Sequence, residues 1–495
     1  MHQISSGYSL YGALVSVHRH DSEAYQALTS SISVLSVFGS MVRSCGISGS
    51  KQLSRFFVSV TAFILMGLPF GAGAAEENAT EPAETFNATV QTTWIVAEHS
   101  PFRAAYTGTN SLNPIHEKAY TWTVTAYLGY RPFTNTEIYF NPEMIQSNQF
   151  SGLHGLGAFN NNENQKMGEI TPTFYRARLF ARQTWNLGGE KIKQESGANQ
   201  LSGSMDANRF VLTVGNISTP DIFDNNAYAH DARTQFLNWA LFTHIASDFA
   251  ADGRGYTWGL AGEYYRDNWV YRLGAFTQPK ESNGLYLEHS ITRHAAIQAE
   301  VEHAHELYGQ PGKLRLFAFR NHARMGNFRE ALAYSNLNVG TPDLANVRHD
   351  QNKTGAGINV EQSLGKNIGL FGRVGFNNGQ TETYQFAEAD RSISGGIVIK
   401  GGFWGRKKDT LGLALAKNDI SGAHRAYLAA GGLGAFIGDG QLPNYRSERL
   451  IETYYNVALY SHASLAGDFQ RIANPAYNAD RGPVNIYAMR LHVEY

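Results

Sequence analysis

The sequence predicts an all-β fold: a transmembrane antiparallel β-barrel of about sixteen strands, with short periplasmic turns and long extracellular loops. Three observations carry this. Apolar and polar residues alternate with period two from about Ala88 to the end. Short joins and long polar joins take turns along the chain. The chain holds one long apolar run, and its mean hydropathy of -0.32 excludes a bundle of apolar helices.

That apolar run is Phe56 to Ala75. Lys51 and Arg55 precede it, and Ala72-Gly73-Ala74 ends it with small residues. Basic start, apolar middle and small-residue end make an export signal. A membrane anchor is the alternative, but Pro69 and glycines interrupt the run and no stop-transfer cluster follows. Met41 opens a well-proportioned basic region, so residues 1–40 are expected to be an upstream extension, 41–75 the signal, and 76–495 the barrel. Cys45, the single cysteine, falls in the leader, so the exported chain needs no disulfide framework.

The strands follow in order. Those expected first are Ala88–Val96, Ala119–Tyr130, Thr136–Asn141, Thr173–Trp185, Arg209–Asn216, Tyr256–Tyr265, Trp269–Thr277 and Ile291–Leu307. Lys313–Asn321, Thr354–Leu364, Ile368–Phe376, Ser392–Gly401, Thr410–Lys417, Arg449–Ser461, Ala466–Ala473 and Pro483–Tyr495 complete the set. Gly, Asn, Asp and Pro occupy the short joins, such as Arg266-Asp267-Asn268 and Gly365-Lys366-Asn367. Long loops span about 217–255, 321–353 and 418–447. One join, Leu187 to Asn208, is long where a short turn is expected.

Closure removes the open edges that so large a sheet would leave. Aromatics near strand ends (Tyr120, Trp122, Tyr130, Tyr175, Trp185, Trp269, Tyr271) fit two interfacial girdles on the lipid face. Inward faces are polar and glycine-rich, which suits a wet lumen better than a packed core. A soluble sandwich or β-solenoid is the alternative, and no fixed-period repeat supports it.

The strand TFYRARLFARQTW places Arg176, Arg178, Phe180 and Arg182 on one face. With its odd positions on lipid, this is an arginine ladder into the pore. The reverse would place three arginines in lipid at about 2–4 kcal/mol each. The same test sends Arg272, Phe276, Glu300, Glu302, Arg315, Phe317, Phe319, Phe371, Arg373 and Glu452 inward. Arg490, His492 and Glu494 of the last strand join them. Guanidinium donates to sugar hydroxyls, carboxylate accepts from them, and an aromatic ring stacks on the sugar's C–H face. The alternative is that such charges only solvate a porin lumen and set its field.

The stretches Asp221-Ile222-Phe223-Asp224-Asn225-Asn226-Ala227-Tyr228 and Thr234-Gln235-Phe236-Leu237-Asn238-Trp239-Ala240 resemble the OprB-type carbohydrate-selective porins. So do Asp252 to Trp258, Arg425 to Gly432, and the run from Glu452-Thr453-Tyr454-Tyr455 through Gln470 to Pro475. The resemblance implies a sixteen-stranded outer-membrane barrel that passes glucose-type sugars by facilitated diffusion through a charged, aromatic constriction. Asp221, Asp224, Asn225 and Asn226 are the constriction-loop candidates.

Other functions find less support. Forty-one Lys+Arg against forty-two Asp+Glu give no electrostatic case for nucleic acid. No cofactor or metal is expected: the 17 histidines show no H-E-x-x-H, and His303 and His305 suit a barrel rim. His462 and Ser464 have a spacing that resembles outer-membrane phospholipases, but no Asn partner can be assigned. An anion-preferring porin, drawing phosphate or carboxylate solutes to the arginine ladder, is the main competitor. Expected partners are sugars as solutes, outer-membrane lipid, and the barrel-assembly machinery through the terminal Tyr495. Homotrimer formation stays open.

Overall fold

The computed structural model describes residues 83–164, 167–386 and 388–495. The expected leader, with Cys45, lies outside them.

Sixteen antiparallel strands close into one barrel. They are β1 (Phe86–His99), β2 (Glu117–Phe133), β3 (Thr136–Asn148) and β4 (Thr173–Asn186). A short hairpin, β5 (Lys191–Gln194) and β6 (Gly203–Asp206), stands apart from the wall. The wall resumes with β7 (Arg209–Ile217), β8 (Thr257–Arg266), β9 (Trp269–Thr277), β10 (Ala295–Leu307), β11 (Gln310–Met325) and β12 (His349–Ser363). It ends with β13 (Ile368–Asn377), β14 (Arg391–Gly401), β15 (Arg406–Asp419), β16 (Glu448–Tyr460), β17 (Ala463–Ala473) and β18 (Val484–Glu494). Each strand expected from alternation is present, and the hairpin β5–β6 occupies the one join that was too long.

Period two builds the wall because alternate side chains face alternate sides. Leu273, Ile393, Leu415, Ile451 and Tyr487 point outward and are exposed. Tyr130, Trp185, Trp269 and Tyr271 form an aromatic band near the short-turn rim. The two-residue turn before β3 uses Asn135 at φ 61°, and the turn before β9 uses Asp267 at φ 51°. These are left-handed positions that Asn and Asp tolerate. Closure pairs β1 with β18. Val90 and Tyr495 exchange two backbone bonds of 2.8 Å, so the terminal residue completes the ladder.

One strand departs from strict alternation. Arg178 pairs with Asn141 and Arg176 with Pro142, which leaves Ala177 as an extra residue in β4. The bulge turns Tyr175 inward, where its hydroxyl meets Glu143. It turns Arg176 outward, with its guanidinium 5.1 Å from the Trp258 ring and bonded to Asn216 at 3.4 Å. The arginine ladder therefore has two rungs, Arg178 and Arg182. Tyr175 leaves the lipid-facing girdle.

The interior is largely filled. Residues 218–256, between β7 and β8, fold into the barrel and carry α1 (Trp239–Phe242). Phe223 packs against Phe276 and Phe317, and Phe236 against Phe371 and Tyr454. The inward glycines make room for this insertion. A Cβ at Gly357 would lie 2.6 Å from the His244 ring, and one at Gly369 would run into Tyr228. The glycine-rich inner face thus serves close packing, which corrects the expectation of a wholly wet lumen.

Over the loop rim lie α2 (Phe328–Asn338) and α3 (Gly422–Ala429). His424 of α3 stacks on Phe328 at 4.2 Å and sits between Asp390 at 3.1 Å and Glu388 at 3.3 Å. Burial lowers its pKa, but the two carboxylates outweigh burial and raise it to about 9.

Candidate functional site

The inserted loop is pinned to the wall by charge. Asp224 accepts from Arg373 Nε at 3.0 Å, Asn359 Nδ2 at 2.6 Å and the His244 backbone N–H at 2.6 Å. Burial works against its charge, and Arg373 with the histidines keeps its pKa below the usual carboxylate range. Asn226 donates to Asn359 at 2.8 Å. Glu452 accepts from the backbone of Leu237 and Asn238, and Arg490 donates to the carbonyls of Ala232 and Gln235. These contacts satisfy loop backbone groups that water would otherwise have to reach.

Beside the loop a cavity of about 710 Å³ remains. Arg178, Phe180 and Arg182 of β4 line it, with Asp221 and Asn225 from the loop. Arg178 grips Asp221 in a two-pronged pair of 2.7 and 2.6 Å. Arg182 donates to the Asn199 carbonyl at 3.1 Å, and its guanidinium lies 5.3 Å from the Phe180 ring.

Two lining arginines come from the loop and escaped the reading of strands. Arg233 donates to Glu163 at 3.0 Å, Tyr127 at 3.0 Å and Glu143 at 3.1 Å. Burial would lower its pKa, but Glu163, Tyr127 and Glu143 overcome that and raise it well above the usual value. Arg254 lies 4.9 Å from the Tyr175 ring, and its Nε has no partner. Arg233 directly precedes the Thr234–Ala240 stretch, and Arg254 lies inside DGRGYTW, so both adjoin segments singled out by resemblance alone.

An aromatic wall borders the same cavity. Trp239 stacks with Phe386 at 4.9 Å and Phe249 at 6.1 Å, while Phe242 stacks on His230 at 4.9 Å. Charge is nearly balanced across the lining: four arginines (178, 182, 233, 254) face five carboxylates (143, 163, 221, 231, 494).

The remaining expected residues point inward but do not line the cavity. Arg272 bridges Glu263, Glu300 and Glu302 at 2.9, 2.7 and 3.0 Å. Arg315 joins Glu302 at 2.8 Å and Glu361 at 3.2 Å. With Phe317 they form a buried inner wall. Arg373, Asp224 and Asn226 fasten the loop.

From the other rim, the β5–β6 insert reaches up. Asn87 donates to the carbonyls of Gly197 and Gln200 at 3.2 and 2.9 Å, and Asn141 to Asn199 at 2.8 Å. Ala198, Asn199 and Gln200 thereby line the cavity from below.

His462 stacks on Tyr495 at 5.4 Å near the short-turn rim, and Ser464 lies opposite His492 in the ladder. His303 packs on Trp269 at 4.3 Å.

A family described as "Carbohydrate-selective porin, OprB family" matches residues 109–495. The chain belongs to the OprB family of carbohydrate-selective porins. It is an outer-membrane channel for carbohydrates and not an enzyme. A solved structure titled "High pH structure of Pseudomonas putida OprB" shares its fold, with a TM-score of 0.64 and 16% identity over 83% of this chain and 94% of that one. A low-pH structure of the same protein aligns with a TM-score of 0.44 and 12% identity over 83% and 93%. No curated protein matches in sequence. In this OprB-family porin the loops are extracellular and the short turns, with the β5–β6 insert, periplasmic.

Proposed function

We propose that the 710 Å³ cavity is the sugar-selecting constriction and that it takes neutral, glucose-type monosaccharides. Its balanced lining carries this reading. Four arginines beside five carboxylates offer donors and acceptors to hydroxyls while giving an anion little net attraction. The Phe242–Trp239 edge supplies a surface for a sugar's C–H face. Arg182 and Arg254 are the donors: Arg178 and Arg233 are held by carboxylates at 2.6 and 3.0 Å, Arg182 meets Glu137 only at 3.8 Å, and Arg254 Nε has no partner. Support for the anion-preferring alternative is reduced, because Arg176 faces away from the pore and five carboxylates stand beside the four lining arginines.

Supporting parts of the reading are an export signal over residues 41–75, recognition of Tyr495 by the assembly machinery, and lipid contact along the outward face.

Single-channel recording tests the site. Glucose should block ion current, and Arg182→Ala or Arg254→Ala should each weaken that block about tenfold, the effect of losing one charged donor. Block by phosphate without block by glucose would overturn the reading in favour of an anion porin.

A further inference from the structure

The outward face of the barrel carries a second charged feature, away from the solute path. Arg391 of β14, Lys417 of β15, Arg449 of β16 and Arg471 of β17 stand on four successive strands near the extracellular rim, all exposed. Lys417 and Arg449 are direct cross-strand partners. Like charges placed so, with Cβ atoms about 5 Å apart, repel and destabilise a ladder. The one carboxylate on this patch, Asp419, pairs with Lys417 at 3.1 Å. Arg471 donates to Asn485 at 2.8 Å. Among the described residues, Arg391 and Arg449 have no ion-pair partner, so the patch keeps three uncompensated positive charges (four cations less one carboxylate).

Its height on the wall says what would meet it. Ile393, Leu415 and Ile451, each two residues nearer mid-barrel, are exposed on the same face. Two strand residues span about 6.6 Å, so cations stand immediately above the apolar band. A ligand matching both layers has phosphate at the top and acyl chains below. The lumen faces of the same strands hold Ser392, Asn418 and Glu448, so the cations are an outward feature and not a general property of this rim.

We propose that Arg391, Lys417, Arg449 and Arg471 bind the phosphates of an outer-leaflet glycolipid whose acyl chains lie on the Ile393–Leu415–Ile451 face. The inference rests on outer-membrane lipid being a partner of the outward surface. A bridging phosphate turns the Lys417–Arg449 repulsion into two charge-assisted contacts. The comparable outward residues of β11 and β12 are already engaged: Arg320 donates to Asn352 at 3.0 Å, and Asp350 meets His294 at 3.1 Å.

The test uses the purified barrel, stripped of lipid in detergent. It is titrated with bis-phosphorylated lipid A, its dephosphorylated form, and phosphatidylglycerol, and retained lipid is read by native mass spectrometry. The bis-phosphorylated glycolipid should bind about tenfold tighter than either comparator, as charge-assisted contacts require. Lys417→Gln with Arg449→Gln should abolish that preference, and Arg320→Gln should keep it. Equal retention of the dephosphorylated lipid would overturn the phosphate assignment. Equal retention of phosphatidylglycerol would reduce the patch to a site for any anionic lipid and overturn it likewise. If the double variant does not refold, Arg391→Gln with Arg471→Gln carries the same expectation, and the three-lipid comparison on the unmodified barrel stands without either. Glucose block is recorded alongside, because its loss would bear on the sugar site and leave lipid binding unchanged.

Discussion

Arg373 on β13 and Asp224 on the pore loop meet at 3.0 Å inside the barrel, where both are almost wholly buried. Arg373 also donates to the Leu241 carbonyl at 2.8 Å, so one side chain fixes two points of the loop. Arg373→Ala would leave the Asp224 carboxylate buried without its cation, a loss of about 3–5 kcal/mol. The loop should then swing from the wall. Single-channel conductance should rise and glucose block should fall, with barrel yield preserved. Unchanged conductance would show that the remaining anchors suffice.

His424 gives the extracellular cover a pH limit. Its folded pKa of about 9 lies above the ordinary 6.5, so its contribution is complete below about pH 6.5 and is lost as pH rises through about 9. The shift corresponds to about 3 kcal/mol for the contacts among His424, Asp390 and Glu388. Protection factors over α3, taken relative to the base-catalysed intrinsic exchange rate at each pH, should be high at pH 7 and lower at pH 10, and His424→Gln should remove most of that difference. Equal protection at both pH values in the unmodified protein would contradict the assignment.

Tyr495 joins the barrel seam through its backbone bonds to Val90 and through its ring on His462. Losing two edge hydrogen bonds costs about 1–3 kcal/mol. Deleting Tyr495 should lower the yield of heat-resistant barrel, while channels that do assemble should keep their conductance and glucose block. Normal yield would remove Tyr495 from the assembly signal.

The wall was legible because period two is a property of each strand alone. Tyr487, Met489, Leu491 and Val493 mark one face of β18 without reference to any neighbour. The phase slip at Ala177 was not, because a bulge depends on the partner strand: Asn141 and Pro142 take Arg178 and Arg176 in place of consecutive residues. The lumen was less legible still. Loops have no period, so only the family resemblance marked Asp221 to Asn226 as a constriction loop, and nothing indicated that Arg233 and Arg254 would reach the cavity. The inward glycines were visible, but their meaning required Tyr228 and His244 to be seated over them. Arg272, Arg315 and Arg373 were placed on the correct side of the wall; the covering loop decides that they brace the channel and leaves the lining to others.

The β5–β6 insert gives the conduit a floor as well as a gate. On the proposed sugar path, a solute passing the pore loop also meets Ala198, Asn199 and Gln200, which line the same cavity from the opposite side. The two narrowings differ in chemistry, charged and aromatic at the loop but mainly amide and carbonyl at the insert, so the free-energy profile along the axis is lopsided. Ionic current through such a profile should differ in size when the voltage is reversed. Net sugar movement still follows the concentration gradient, since a passive path, however asymmetric, cannot bias an equilibrium.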